Sequence, residues 1–317
     1  MRAVVYSQTG PSSVLEVVER PVPEPGPGEV LVRIVRAGVN PTDWKFRAGM
    51  MSGHDEVAPG QDGAGVVEAV GAEVAGIAVG DRVWLLMAQN GRPYGTALEY
   101  TVQPVENVVP LPEGVSFDVG AALGVPFVTA HRLLTSGDVA RLEPGSLSGR
   151  TVLVAGGAGA VGNAAIQLAR WAGAQVITTV SGPEKAALAT AAGAHHVVTY
   201  TEGDPEREIL ALAPDGVDLV AEVAPGPNAG LDLAVTRIGG TIAVYANNGG
   251  DELTLPLRAT FSRNLRFQFV ILYTLAPALL QAAVQDIDAA LRDGAVRIGE
   301  DAGLPLHRFP QIGRAHV

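Results

Sequence analysis

The chain contains no cysteine, which excludes a disulfide framework, a thiolate nucleophile and a cysteine-ligated metal. Charged residues are sparse, at 17% against 47% hydrophobic. Over 317 residues that composition holds material for two cores and exceeds what one typical core uses. Positive charge is scarcer still. With 22 Lys and Arg against 33 Asp and Glu, the net charge is −11, which argues against a nucleic acid or an anionic membrane as partner and leaves room only for a local phosphate-sized basic site. No apolar run approaches about 18 uninterrupted residues. Met1-Arg-Ala-Val-Val-Tyr6 opens directly as a strand, with no charged segment followed by an apolar one as a secretory leader has, so a soluble cytoplasmic protein is expected. The six histidines, His54, His131, His195, His196, His307 and His316, show no metal-ligand spacing, and the adjacent pair at 195 and 196 reads as a loop-to-strand boundary. No metal is expected.

What stands out instead is Thr151-Val-Leu-Val-Ala-Gly156-Gly157-Ala-Gly159-Ala-Val-Gly162. A β-branched apolar run feeding Gly-x-Gly-x-x-Gly is the pattern of a strand that turns tightly into a helix and holds a dinucleotide pyrophosphate at the helix N-terminus. In that reading Gly157 makes the tight turn, Gly159 lets the backbone approach the phosphates, and Gly162 lets helix and strand pack closely. Ala160 and Val161, within the same turn, are counted with these glycines as cofactor-binding. A chain with 39 glycines produces such triplets by chance, so the context decides. After Gly162 comes a stretch of helix-forming residues to Trp171, then Gly173, then the apolar run Gln175 to Val180, completing strand, helix and strand.

The chain divides by pattern. Up to about Gly124, short strands alternate with Pro/Gly turns: Ala3 to Tyr6, Val14 to Glu19, Glu29 to Ala37, Gly65 to Val70, Arg82 to Leu86 and Ala97 to Val102, a mostly antiparallel β domain. From Val125 to Ala290, strands alternate with helices: Thr151 to Ala155, Gln175 to Val180, His196 to Thr199, Val217 to Val223, Gly240 to Tyr245 and Leu265 to Ile271. Six such strands suit a doubly wound parallel sheet. The expected domains are 1–124 and 125–290, with 291–317 too short to stand alone and returning to the first.

Four motifs in order, Gly38-Val-Asn-Pro-Thr-Asp43, Pro59 to Gly71 with Gly80-Asp-Arg-Val83, Gly124-Val-Pro-Phe-Val-Thr-Ala130 and the glycine turn, resemble the medium-chain dehydrogenase/reductase superfamily, in its zinc-independent quinone oxidoreductase branch that includes zeta-crystallin. The resemblance spans nearly the whole chain. It implies an α/β fold: a mostly antiparallel, GroES-like β domain followed by a six-stranded, doubly wound Rossmann domain. The zinc-dependent branch carries Cys-Gly-x-Cys-His near Ala37 to Asp43 and Gly-His-Glu at the place of Gly60-Gln61-Asp62, so both ligand sets are missing here. Without a Lewis acid to hold an alkoxide, reduction of an already electrophilic acceptor is the natural chemistry.

Cofactor choice turns on the end of the second Rossmann strand. NAD-specific sites place an Asp or Glu there, whereas this chain has Ser181 with Lys185 four residues on. The resemblance implies that Ser181, Lys185 and Tyr200 face a 2′-phosphate, which favours NADPH; the alternative is a solvated lysine offset by Glu184. It also implies that Asn40 and Thr129, the candidate catalytic residues, lie beside the nicotinamide. Turn hydrogen bonding and helix packing are their respective alternatives. Phe269 and Ile271, on an apolar strand that could equally be buried within the sheet, would pass the nicotinamide, and that strand's edge would pair with a second subunit in a homodimer, since so apolar an edge is otherwise an aggregation hazard.

Hydride transfer to a quinone or an enone leaves negative charge on the acceptor oxygen, so the acceptor must be held face to face with the ring and met by a donor or water. No catalytic base is required. Asp43, Trp44, Lys45 and Tyr94 are the candidates for the acceptor pocket, Trp44 and Tyr94 because each joins an apolar face to a polar tip. Asp43 has an alternative as a surface ion pair with Arg47. Lys45 stands where quinone-reducing members often carry a tyrosine, which keeps an enone or alkenal reductase open beside the quinone reductase and makes an anionic substrate more plausible. A non-catalytic NADPH-binding protein is the reading from another class. The family continues past a match to Ala315-His316 into a further helix and strand, whereas this sequence stops at Val317; if it is complete, the first domain lacks a strand partner and is expected to be less stable or to pair differently, and if it is truncated or altered, activity in this form stays open.

Overall fold

The computed structural model describes residues 1–50 and 53–298. Within them the chain forms two compact units, Met1–Val125 and Pro126–Arg297.

The first unit is built on antiparallel strands. Strands β1 (Arg2–Val5) and β2 (Glu16–Glu19) form a two-stranded ribbon. β3 (Glu29–Ala37), β4 (Gly63–Val70), β5 (Arg82–Leu85), β6 (Tyr100–Pro104) and β7 (Val108–Pro110) form a five-stranded sheet in the order β6-β3-β4-β5-β7. Alternation puts Val30 and Val32 of β3 on one face, where they are fully buried with Val67, Val83 and Leu85. Between β3 and β4 the chain makes a five-residue helix, α1 (Pro41–Lys45), started by Asn40 in extended conformation and by proline at the first helical position. A short helix α2 (Phe117–Gly120) follows β7.

Helix α3 (Gly124–Leu134) precedes the second unit's sheet. That sheet consists of β8 (Thr151–Ala155), β9 (Gln175–Val180), β10 (His196–Thr199), β11 (Val217–Glu222), β12 (Thr236–Val244) and β13 (Arg266–Phe269), with helices α4 (Ala160–Trp171), α5 (Pro183–Ala191), α6 (Pro205–Leu212), α7 (Pro225–Val235) and α8 (Leu257–Ser262) between them and α9 (Pro277–Arg292) after. All five pairings are parallel and the order is β10-β9-β8-β11-β12-β13. Renumbered from β8, that is 3-2-1-4-5-6, the doubly wound dinucleotide-binding order. It reverses between β8 and β11, where such sheets bind ligands. Leu153, Ile177, Val220 and Ile242 fill its core with Ile209 and Val235 from the helices.

The expected α/β architecture therefore holds, with one local correction. Residues 291–297 do not leave the second unit: α9 runs to Arg292, and the Arg297 amide donates to Gln167 Oε1 at 2.6 Å while Gln167 Nε2 donates back to the Arg297 carbonyl at 3.0 Å. The rest of the expected C-terminal return, including Ala315-His316, lies outside the described residues. Strand β13 is an edge of the sheet, with Phe269 60% exposed and Ile271, just past it, 58% exposed; it is not a buried interior strand. No helix among the described residues is long and apolar enough to cross a membrane.

Candidate functional site

In the second unit, β8 runs into the glycine turn and α4 begins at Ala160 with Gly159 as its N-cap. The division of labour among the glycines differs from the sequence expectation. The left-handed residue is Gly156, with φ +69°, while Gly157 has no positive φ. Gly157 is required for another reason: a Cβ there would lie 2.1 Å from Thr178 Oγ1 and 2.8 Å from Ile166 Cδ1. Thr178 cannot yield, because its hydroxyl is buried and donates to the Val154 carbonyl at 2.7 Å. Gly162 is equally confined, since its Cβ would meet the Gly156 carbonyl oxygen at 2.4 Å. Gly159 is different. It is exposed, and a Cβ would find only the Gly156 oxygen, at 3.4 Å.

The first intrahelical bond of α4 is Asn163 N–H to the Gly159 carbonyl, 2.7 Å. The amides of Ala160, Val161 and Gly162 precede it and have no partner one turn back, and Gly159 has no side chain to cap them. This is an open cradle of N–H groups at the positive end of a twelve-residue helix, suited to an anion. The end of β11 adjoins it, with Val223 Cγ1 3.3 Å from where a Gly156 Cβ would stand.

The candidate phosphate-selecting residues gather at the neighbouring strand ends. Ser181 follows β9, Lys185 is exposed in the first turn of α5, and Tyr200, 51% exposed, follows β10. The Tyr200 amide donates to the Val180 carbonyl at 3.0 Å, and Thr201 Oγ1 donates to the Ser181 carbonyl at 3.2 Å, which ties the two strand ends together. Thr129 is buried in α3.

In the first unit the structure draws three of the sequence motifs onto one side chain, Asp62. Its Oδ2 accepts from Asn40 Nδ2 at 2.7 Å, and its two oxygens accept the Val125 amide at 3.0 and 2.9 Å. Gly38 and Gly124 wall it in, since a Cβ on either would come within 2.8 Å of the Asp62 Cβ or 2.0 Å of its Oδ1. Asp43, also buried, accepts the Asn40 backbone amide through Oδ2 at 2.7 Å. Burial pushes both carboxyls up to about 7; hydrogen bonds oppose this, from the Asn40 and Gln61 backbone at Asp43 and from the Asn40 side chain and Val125 amide at Asp62. The surface ion pair considered for Asp43 is corrected by this burial: Asp43 and Arg47 are 3% and 7% exposed, and Arg47 Nε donates to the Gly10 carbonyl.

Trp44 and Lys45 share α1 with Asp43, both half-buried. Tyr94 is 42% exposed, donates to Glu56 Oε1 at 3.2 Å, and lines a hollow of about 110 Å³ with Met1, Pro23, Arg92 and Tyr100. Among the described residues no three His, Cys, Asp or Glu side chains converge in a way that could hold a metal. His131 is instead a buried partner of Asp286, at 2.7 Å, and His195 accepts the Val176 amide at 2.9 Å.

Sequence reasoning did not find Asp62 as a site residue, although it lies in a motif quoted for the missing zinc ligands. Nor did it find Glu222 and Asp232, a carboxyl pair buried between β11 and α7 that shares a hydrogen bond. Burial and the Glu222 charge push Asp232 up to about 9. Two acids ten residues apart on a strand and a helix leave no sequence signal.

Comparison with known proteins agrees with this geometry. Residues 26–113 match the alcohol dehydrogenase GroES-like domain and residues 160–289 match the zinc-binding dehydrogenase family. The quinone oxidoreductase of Rattus norvegicus is 32% identical over 315 residues, covering 98% of this chain and 92% of the relative. A mycobacterial quinone oxidoreductase structure superposes with a TM-score of 0.82 at 29% identity, covering 94% of this chain and 91% of that one. A second mycobacterial structure, complexed with NADPH, gives 0.79 at 30% identity with the same coverage. A chain with this sheet order, this glycine cradle and this degree of likeness along its whole length belongs to the medium-chain dehydrogenase/reductase superfamily, in its quinone oxidoreductase branch.

Proposed function

We propose that the protein is a metal-independent, NADPH-dependent reductase whose acceptor is a quinone. The observation that carries the reading is the cradle at Gly156 to Gly162, closed to side chains at Gly157 and Gly162 and open at Gly159. It fits a dinucleotide pyrophosphate, which the orphan amides of α4 would bind. The neutral Ser181 in place of an acid, with Lys185 and Tyr200 nearby, supports a 2′-phosphate and hence NADPH over NADH. When bound, that cofactor supplies a hydride. We assign Asn40 and Thr129 to hold the nicotinamide end, with Phe269 and Ile271 beside it, and Trp44 to the apolar face of the acceptor. The names of the relatives support a quinone as that acceptor. We further propose a cytoplasmic homodimer that pairs through the exposed β13 edge.

A second reading, an enone or alkenal reductase, is favoured by Lys45. It places an ammonium on the same short helix as Asp43, five residues from Asn40, where a substrate carrying an anion would gain and a neutral quinone would not. The test is oxidation of NADPH by purified protein in the presence of EDTA, with a simple para-quinone and an enone offered separately, and with an alcohol plus NADP⁺ as control. Chelator-resistant turnover with quinone above enone is the expected result. Binding of NADPH without turnover of either acceptor refutes the reductase reading in favour of a binding protein. For the cofactor, Lys185→Ala should weaken NADPH at least about tenfold, one lost charge-assisted contact, and leave NADH within about twofold. Equal loss for both nucleotides removes the phosphate role of Lys185.

A further inference from the structure

A buried side chain on which three motifs converge belongs to a residue that the proposed chemistry does not touch. Asp62 is 1% exposed, and its Oδ2 accepts both from Asn40 Nδ2 and from the Val125 amide at the start of α3, which also donates to Oδ1. Its backbone is pinned as well, because the Asp62 carbonyl accepts from the Gly38 amide at 2.9 Å and from Thr96 Oγ1 at 2.7 Å. The carboxylate therefore cannot shift to suit a neighbour; its neighbours must suit it. Glycines at 38 and 124 are what leave room for it. The Asn40 backbone is gripped separately, by Asp43 Oδ2 at 2.7 Å.

This arrangement has a chemical consequence for Asn40. A primary amide has one edge that donates and one that accepts, and rotating it by half a turn exchanges them at almost no change in shape. Packing alone does not choose between the two. A buried carboxylate chooses, because it accepts hydrogen bonds and repels the carbonyl oxygen. With one Nδ2 hydrogen committed to Asp62, and its oxygen also turned toward the Asp43 amide in the capping box of α1, Asn40 offers a ligand its remaining N–H and the second lone pair of Oδ1.

We propose that Asp62 is a positioning residue that fixes the orientation of the Asn40 amide and so determines which edge of Asn40 meets the nicotinamide end of the cofactor. This rests on the assignment of Asn40 to the nicotinamide made above. It adds that the assignment depends on a second residue, 22 positions away in sequence, whose role is to set a donor and an acceptor the right way round.

The test is a pair of substitutions of nearly the same shape, one that keeps the acceptor and one that removes it. Asp62 Oδ2 accepts from both Asn40 Nδ2 and the Val125 amide, so in Asp62→Asn an oxygen at that place keeps both bonds, whereas Asp62→Leu leaves no acceptor and frees the Asn40 amide to turn over. We expect Asp62→Leu to lower kcat at least about tenfold, as a misdirected contact at a reacting centre does, while the Kd for NADPH, set largely by the glycine cradle, stays within about threefold. Asp62→Asn should recover most of that loss. Independently of turnover, the Asn40 side-chain amide signal in a ¹⁵N-labelled sample, assigned by its absence in Asn40→Ala, should shift in Asp62→Leu. A folded Asp62→Leu with wild-type kcat, or an Asn40 signal that does not move, overturns the proposal. Should Asp62→Leu not fold, Asn40→Asp carries the test, since it has no donor for Asp62: wild-type turnover there, with Asn40→Ala impaired, overturns it. Wild-type turnover by Asn40→Ala has a different meaning, since it refutes the assignment of Asn40 itself.

Discussion

Replacing Gly159 and Gly162 in turn with alanine separates binding from stability within one four-residue stretch. Gly159 has φ −75° and ψ 162°, a conformation any residue adopts, and its added methyl would touch only the Gly156 oxygen at 3.4 Å. Alanine there restricts the unfolded chain, a gain of about 0.4–1 kcal/mol, and is a poorer N-cap than glycine by a similar amount. The two offset, so stability should stay within about 1 kcal/mol, or about 4 °C in Tm for a unit of this size. The methyl would, however, occupy the open side of the cradle, between the α4 amides and a pyrophosphate. Losing a hydrogen bond to a charged group costs about 1.5–3 kcal/mol, which corresponds to NADPH binding weaker by about 10- to 100-fold.

Gly162→Ala reverses the pattern. Its methyl would lie 2.4 Å from the Gly156 oxygen and 2.9 Å from the Gly157 Cα. Both are backbone atoms, so the turn must move, and overpacking of this kind costs about 1–3 kcal/mol. Fluorescence titration with NADPH and thermal melts on the same two samples make the comparison. If Gly159→Ala binds NADPH within about twofold of wild type, or melts far below it, the cradle reading is wrong.

Two further outcomes follow from buried carboxyls. Asp232 is pushed up to about 9 by burial and by Glu222, so the folded chain holds a proton that the unfolded chain has released above about pH 4. Stability therefore falls as pH rises through that window and levels off above about 9, at up to about 1.4 kcal/mol per pH unit for one proton. Asp232→Asn donates to Glu222 as the protonated acid does and carries no such linkage, so in urea titrations it should gain on wild type steadily between about pH 5 and 8; a constant difference across that range refutes the shared proton. Asp286 accepts from buried His131 at 2.7 Å, from Arg141 and from the Leu142 amide at 2.7 Å. Asp286→Ala leaves these donors unmatched and should cost about 3 kcal/mol, read by urea unfolding. A loss under about 1 kcal/mol shows that water replaces the carboxylate.

How far the sequence could be read depended on whether the signal was local. β8, β9 and β10 are found at the residues expected, because each is a run rich in β-branched residues closed by glycine or a turn at both ends. β12 starts earlier than Gly240, at Thr236, because its pairing with β11 begins at Val217↔Thr236 and then jumps to Leu219↔Thr241. The residues looped out include Gly239 at φ +73°, and such an irregularity has no periodicity to betray it. β7 is three residues ending in proline, too short to register. Helix α1 starts at an Asn-Pro pair that reads equally as a turn, and what makes it a helix is the buried Asp43 bond to Asn40.

The same limit explains why the glycines were legible as a motif and misassigned as individuals. Spacing alone identifies a turn between strand and helix, but whether a given glycine is needed for its φ, for want of space, or for an approaching ligand depends on what lies across from it. For Gly157 that neighbour is Thr178, from the next strand over. For Gly124 it is Asp62, from another motif, and for Gly38 it is the Ala121 carbonyl together with the Asp62 Cβ. In the first unit the motifs that carry the family likeness are thus one structure seen in separate pieces: two glycines make room, one carboxylate fills it, and one asparagine is held by it. The absence of histidine at Gly60-Gln61-Asp62 showed only what chemistry this position lacks. Its positive content lies in contacts across 22 and 63 residues of chain, which become visible when β4 pairs with β3 and brings Asp62 back against Gly38, whose amide donates to the Asp62 carbonyl.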